Sequence, residues 1–199
     1  METYFKYRSL KDFKRFLQIL IYRELYGSKF NELNDPMEGY FNYSDQIDIE
    51  TRKAMLKKRA NTYICSVSKK SNIGIMWSHY ADEHKGCCIE FEVTSKWKKI
   101  EVEYLDEMPI LDANTQIEDI LKCKSKQWEY EEEIRFIKPV EKEDARRPKL
   151  KIKIKRILLG TRVDRNTVSF INALVKKLYQ DKVDVVKIKY DEINFGFNN

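Results

Sequence analysis

Glu131, Glu133 and Arg135 are the residues whose types and spacing most directly suggest chemistry. They alternate through Tyr130-Glu131-Glu132-Glu133-Ile134-Arg135-Phe136, a segment that opens acidic and then turns apolar. Side chains on a strand alternate faces. A strand here sets Glu131, Glu133 and Arg135 on one face and Ile134 and Phe136 on the other. Two carboxylates beside an apolar layer form a local acid/base site, or they form a solvated edge matched by lysines. Arg135 on the carboxylate face would hold both glutamates ionised by lowering their pKa.

Other residue types point to chemistry more weakly. Trp77, His79 and Tyr80 either form one wall of a pocket or divide between core and surface. His79 and His84 are five apart, which is not the one-face spacing of a helical metal pair. Cys87-Cys88 lacks a second pair. Asp82, Glu90 and Glu92 would be the ligands of a metal-dependent nuclease, but nothing in their spacing enforces a site. With six glycines and no glycine-rich loop, a P-loop or dinucleotide fingerprint is disfavoured. The stretch 149–156 alternates between a basic face (Lys149, Lys151, Lys153, Lys155) and an apolar one. Such a strand is half-buried, with lysines that discourage edge pairing, or it is a phosphate-binding stripe for nucleic acid.

The elements that must position these residues can be read from periodicity and turn chemistry. Residues 3–8 read as an aromatic strand. Ser9 is expected to cap a helix carrying Phe13, Phe16, Leu17 and Leu20 on one face. Asn34-Asp35-Pro36 signals a turn. Helices are expected over 49–59, 75–84 (ended by Gly86), 116–123, and after an Asp164 cap with Val168, Ile171, Val175 and Leu178 inward. Strands are expected over 62–67, 87–93, 100–105, 130–139, 150–159 and 183–190, with a charged loop over 141–148. Strands outnumber helices and do not alternate strictly with them. The expected fold is therefore α+β: one domain over 1–199 with a central mixed or mostly antiparallel sheet flanked by helices.

Composition bounds the classes. A chain of 199 residues with 42% apolar and 13% aromatic content can bury a core and is no disordered tail. The net charge of +6 favours anionic partners only weakly, because 32 acidic residues are interspersed with 38 basic ones. Four cysteines without Cys-x-x-Cys spacing suit buried thiols in a reducing cytoplasm. The first residues have no apolar signal core, and no run approaches the roughly 20 residues of a membrane helix. The expectation is a soluble, cytoplasmic protein with no membrane association; composition is silent on its oligomeric state.

Four local patterns together resemble an uncharacterised bacterial family of unknown function. They are Lys6-Tyr7-Arg8-Ser9; Asn34-Asp35-Pro36-Met37-Glu38; Met76-Trp77-Ser78-His79-Tyr80-Ala81-Asp82 running into Gly86-Cys87-Cys88-Ile89-Glu90-Phe91; and Trp128-Glu129-Tyr130-Glu131-Glu132-Glu133-Ile134-Arg135. In the last, Ile134 stands where that family often has tryptophan. A second likeness is to ADP-ribosyltransferases of the arginine–serine–glutamate class. Arg8 ends the first aromatic strand. Tyr63-Ile64-Cys65-Ser66-Val67-Ser68 is similar to that class's Ser-x-Ser strand, and Glu131-Glu132-Glu133 is similar to its Glu-x-Glu strand.

That likeness implies NAD as substrate. Glu133 would stabilise the oxocarbenium-like ribose, and Glu131 would orient or deprotonate the acceptor. Arg8 would grip phosphate or ribose oxygens, and Ser66 would fix the pocket by hydrogen bonding. Tyr63, Trp77, His79, Tyr80 and Arg135 would complete the cofactor's surroundings. The likeness also implies a macromolecular acceptor and a role as a toxin or in phage defence. The alternatives are a non-enzymatic nucleic-acid or protein binding module, and the nuclease already mentioned.

Overall fold

The structure is a computed structural model, and it describes residues 2–35, 37–38, 40–45, 47–112, 114–140, 147–190 and 197–198. Pro36 of the expected turn and most of the expected charged loop over 141–148 lie outside the described residues. The fold is α+β and its strand pairing is mostly antiparallel, as the element order suggested. The chain divides into two compact units: Met1–Leu25, Val67–Ser95 and Lys151–Asn199 form one, and Tyr26–Ser66 with Lys96–Leu150 form the other. Among the described residues no helix is long and apolar enough to cross a membrane.

In the first unit the aromatic strand Thr3–Arg8 pairs antiparallel with Cys87–Val93, from Thr3↔Glu92 to Arg8↔Cys87. Its other edge meets the end of Thr62–Ser68 at Phe5↔Ser68. Cys87–Val93 pairs on its far side with Lys149–Leu159, with a register shift between Ile154 and Arg156. Lys149–Leu159 in turn pairs parallel with Asp184–Lys187. The strand thus has partners on both sides over 156–159, past its four alternating lysines.

Helix Phe13–Tyr22 buries Phe16 and Leu20 of the expected stripe together with Ile19, while Phe13 and Leu17 are only half-buried. Its cap, however, is Asp12 and not Ser9: the Asp12 carboxylate accepts from Arg15 N at 3.1 Å, while Ser9 Oγ accepts from Lys11 N. Helix Arg165–Tyr179 starts where expected, with Asp164 accepting from Thr167 N, and buries Ile171, Val175 and Tyr179. Tyr179 Oη donates to Leu20 O at 2.5 Å and ties the two helices together.

The helix expected over 75–84 runs only from Gly74 to Tyr80. Asp82, Glu83 and His84 follow in the left-handed region, with φ of 49°, 51° and 70°. Gly86 closes this turn because a Cβ there would stand 2.3 Å from Arg8 O.

In the second unit Thr62–Ser68 pairs with Ser28–Lys29 and neighbours Glu133–Pro139. Glu133–Pro139 pairs antiparallel with Lys98–Glu101 through Ile134↔Glu101 and Ile137↔Lys98. Helix Ile49–Ala60 is capped by Asp48, which accepts from Thr51 N at 2.9 Å. Helix Ile117–Lys122 ends one residue short of expectation, because Cys123 begins the strand Cys123–Ser125. That strand pairs parallel with Glu103–Leu105. Ile64, Leu121 and Ile137 form a buried cluster beneath these elements. Full burial of each such side chain contributes about 1.5–3 kcal/mol.

Candidate active site: a buried carboxylate–cation cluster

The acidic segment does not form one continuous strand. Lys126–Glu131 is a 3-10 helix, Glu132 takes the left-handed conformation with φ 44°, and the strand begins at Glu133. Strand alternation therefore relates Glu133 to Arg135 but not to Glu131, contrary to the expectation of three residues on one pleat. The left-handed residue reverses the chain and brings Glu131 back toward Glu133. What joins them is a cation that the sequence did not announce. Lys124 Nζ donates to Glu131 Oε2 at 2.6 Å and to Glu133 Oε2 at 2.8 Å.

Arg135 completes the cluster. Its Nε donates to Glu133 Oε1 at 2.8 Å and one terminal nitrogen to Leu121 O at 2.6 Å. Its other terminal nitrogen reaches Glu133 Oε2 at 3.2 Å and pairs with Glu38. Glu38 closes the Asn34-Asp35-Pro36-Met37-Glu38 pattern, so two sequence patterns nearly 100 residues apart meet at one guanidinium. The Ser66 hydroxyl hydrogen-bonds to Glu133. Tyr104 Oη accepts from Glu133 N at 2.8 Å. Every one of these residues belongs to the second unit.

The cluster is closed to solvent. Glu131 is 5% exposed, Glu133 4% and Arg135 0%. The solvated-edge alternative is thereby overturned, since a solvated face leaves its carboxylates in water. Burial pushes the Glu133 carboxyl upward, against the pull of Lys124 and the Ser66 hydrogen bond. Burial alone would lower Lys124, but Glu133 and Glu131 more than offset it and raise its pKa. Burial brings Arg135 down to about 9, with Asp35 acting in the other direction. A guanidinium so hydrogen-bonded stays charged at neutral pH. Removing charges from water costs several kcal/mol per ion, which only close pairing and full hydrogen bonding can offset. The cluster meets that condition by giving each oxygen of Glu133 a cationic donor.

The remaining expected site residues divide between the units. Tyr63 is buried in the second unit, on the strand of Ser66. Arg8, Trp77, His79 and Tyr80 belong to the first unit. Arg8 is half-buried at the end of its strand, and its charge pulls against the burial that raises the Cys87 thiol to about 12. Trp77 is fully buried: its Nε1 donates to Ser71 O at 2.8 Å, its ring meets Tyr7 edge-on, and His84 stacks on it. His79 is exposed on the same short helix and Tyr80 is half-buried, so the three do not line one wall.

The nuclease ligands are each engaged separately: Asp82 with Lys11 at 2.6 Å, Glu90 with Arg156 at 2.7 Å and Glu92 with Lys155 at 3.3 Å. Among the described residues no group of three or more His, Cys, Asp or Glu is arranged to hold a metal ion. Lys149, Lys151, Lys153 and Lys155 are exposed on their strand, with Lys149 over the Tyr26 ring.

Lys124 and Glu38 are the residues that sequence reasoning missed. Glu38 had a signal, since it ends a pattern singled out for its specificity. Lys124 had only its distance of seven residues from Glu131.

Residues 76–136 match a family model described as "Protein of unknown function (DUF2971)". The match takes in the tryptophan–histidine–tyrosine block, Lys124, Glu131 and Glu133, and ends just past Arg135. The expected likeness to a family of unknown function is thus shown over residues 76–136. No curated protein and no solved structure matches the chain.

Proposed function

We propose that this chain is an NAD-consuming enzyme of the ADP-ribosyltransferase kind, with Glu133 as its central carboxylate and a macromolecule as acceptor. One observation carries the reading: Ser66 and Glu133, paired in advance by the likeness to the arginine–serine–glutamate class, are hydrogen-bonded partners 67 residues apart in sequence. Strand pairing supports it: the strand of Ser66 neighbours that of Glu133.

In this reaction the ribose–nicotinamide C–N bond breaks and its electron pair leaves with neutral nicotinamide. A lone pair on the acceptor forms the new bond to the same ribose carbon, and the acceptor's proton passes to a base. Glu133 stabilises the positive ribose through its charge. Glu131 takes the acceptor's proton. Ribose hydroxyls must displace one donor from Glu133. Lys124, held on a three-residue strand, is that donor, because its departure leaves Arg135 bridging Glu133 and Glu38. A cytoplasmic location and a toxin or phage-defence role belong to the same proposal.

A second reading is favoured by the complete engagement of Glu133. Here the cluster is purely structural, and the exposed lysines of Lys149–Leu159 bind nucleic acid.

The test is transfer of label from NAD tagged on its adenosine half, using purified protein in bacterial lysate with and without nuclease. Ser66→Ala and Glu133→Gln serve as controls, each checked for folding by circular dichroism. Labelled macromolecule, reduced by Ser66→Ala and abolished by Glu133→Gln, is the expected outcome. Neither label nor NAD loss with wild-type protein would refute the enzyme reading in favour of the second.

A further inference from the structure

The first unit holds an open cleft of about 640 Å³, within the usual size of small-ligand sites. Two of its walls differ in chemistry. One is aromatic: Phe13 and Phe170 stand 5.7 Å apart with their rings tilted by 51°, and Phe170 is 58% exposed. The other is basic, with Lys11, Lys85 and Arg162.

The carboxylates nearby do not neutralise that wall. Asp82 is taken up by Lys11 at 2.6 Å. Asp164 is committed to the N-terminus of helix Arg165–Tyr179, accepting from Thr167 N and Oγ1. Arg162 is exposed and has no ion-pair partner among the described residues. Lys85 is exposed too, and its pair with Glu83 at 3.7 Å lies in solvent on both sides, where such a pair is weak.

Both cations are fixed to one locked turn. Asp82, Glu83 and His84 each hold positive φ, a conformation that costs non-glycine residues about 1–2 kcal/mol apiece. The turn persists because its surroundings over-determine it. His84 O accepts from Arg162 N at 3.0 Å, Gly86 O accepts from Gly160 N at 2.9 Å, and the His84 ring stacks on Trp77. Strain kept in this way is a pointer to function. The turn lies within the family-matched residues and gives their Met76–Gly86 block a purpose.

We propose that this cleft binds a nucleotide, with its base on the Phe13–Phe170 pair and its phosphate between Lys85 and Arg162. Aromatic platforms beside cations are how proteins hold unpaired nucleotides. An acidic peptide would use the cations and leave the rings idle. The nucleotide is either free or part of a single strand. The inference is independent of NAD chemistry at Glu133, which belongs to the other unit.

The probe is fluorescence anisotropy of a short labelled oligothymidylate, competed with AMP, without NAD. Three variants are compared: Phe170→Ala, the pair Lys85→Glu with Arg162→Glu, and a charge-matched pair Lys57→Glu with Lys58→Glu on exposed helix Ile49–Ala60. Phe170→Ala weakens binding about fivefold or more. The cleft pair also lowers the salt slope by about 0.7, the value for one single-strand phosphate contact. The Lys57/Lys58 pair keeps the wild-type slope. Displacement by AMP identifies a free nucleotide as the source, and oligothymidylate binding that AMP does not displace identifies a strand. Equal losses in both charge-reversed pairs, no loss in the cleft variants, or no binding of either probe by wild-type protein would overturn the proposal.

Discussion

Lys124→Met removes the one cation shared by Glu131 and Glu133 and is the sharpest test of the buried cluster. Lys124 and both carboxylates are almost inaccessible, and the substitution abolishes the ion pairs at 2.6 and 2.8 Å. Glu133 keeps Arg135 at 2.8 Å, so Glu131 is the carboxylate that loses its lysine. Breaking a buried pair in this way costs about 3–5 kcal/mol. A proton can replace the missing cation, and that sets a ceiling. Holding a glutamate of unfolded pKa about 4.3 in its neutral form at pH 7 costs about 3.7 kcal/mol, at about 1.36 kcal/mol per pH unit. At pH 5 the same ceiling is about 1 kcal/mol. Urea denaturation followed by circular dichroism should therefore find a loss of about 3–4 kcal/mol at pH 7 that shrinks to about 1 kcal/mol at pH 5. Adding Glu131→Gln should recover most of the loss at pH 7, because it removes the stranded charge. A loss below about 1 kcal/mol at pH 7, or one of equal size at both pH values, would refute the account of a sealed cluster.

Two further predictions concern packing away from the cluster. A Cβ at Gly160 would stand 2.1 Å from His84 O, which is backbone. Gly160→Ala should therefore cost about 1–3 kcal/mol or more and lower the melting temperature by about 2–4 °C per kcal/mol; an unchanged melting temperature would mean that the left-handed turn yields freely. Cys65, Cys87 and Cys88 are buried, with burial pushing Cys87 up to about 12 and Cys88 well above the usual thiol range, while Cys123 is half-buried. A thiol reagent at mildly alkaline pH should modify Cys123 alone before denaturant is added, and rapid modification of a second cysteine would contradict this packing.

Much of the fold was legible because its signals are local. The stripe of Phe16 and Leu20, the Asp164 cap and the alternation over 149–156 each need only a few neighbouring residues to be read, and each appears in the structure. The misreadings fall where the deciding contact is distant or the backbone takes an uncommon conformation. A helix pattern ran on past Tyr80 because nothing in Asp82-Glu83-His84 announces positive φ; the reason lies at Arg8 and Gly160, far along the chain. Glu132 misled in the same way, since an acidic run looks like continuous strand until one residue turns left-handed.

The candidate site was half legible for a related reason. Glu133 and Arg135 sit between Ile134, Phe136 and Ile137, and a charged pair amid such apolar neighbours must find its compensation inside the protein. Sequence could raise that requirement but not name Lys124 and Glu38 as residues that meet it. Glu38 is the informative case. It closes a pattern noticed for its residue types alone, and its partner is the arginine that closes another. The two patterns make physical sense together, because a fully buried guanidinium needs a second carboxylate once Lys124 shares the first. If Lys124 leaves Glu133 to admit a substrate, Glu38 and Arg135 are what keep Glu133 ionised and in place. A purely structural cluster has no need of a donor that can leave. The Lys124 and NAD experiments therefore bear on one question: whether the least anchored cation of this cluster is a lock or a latch.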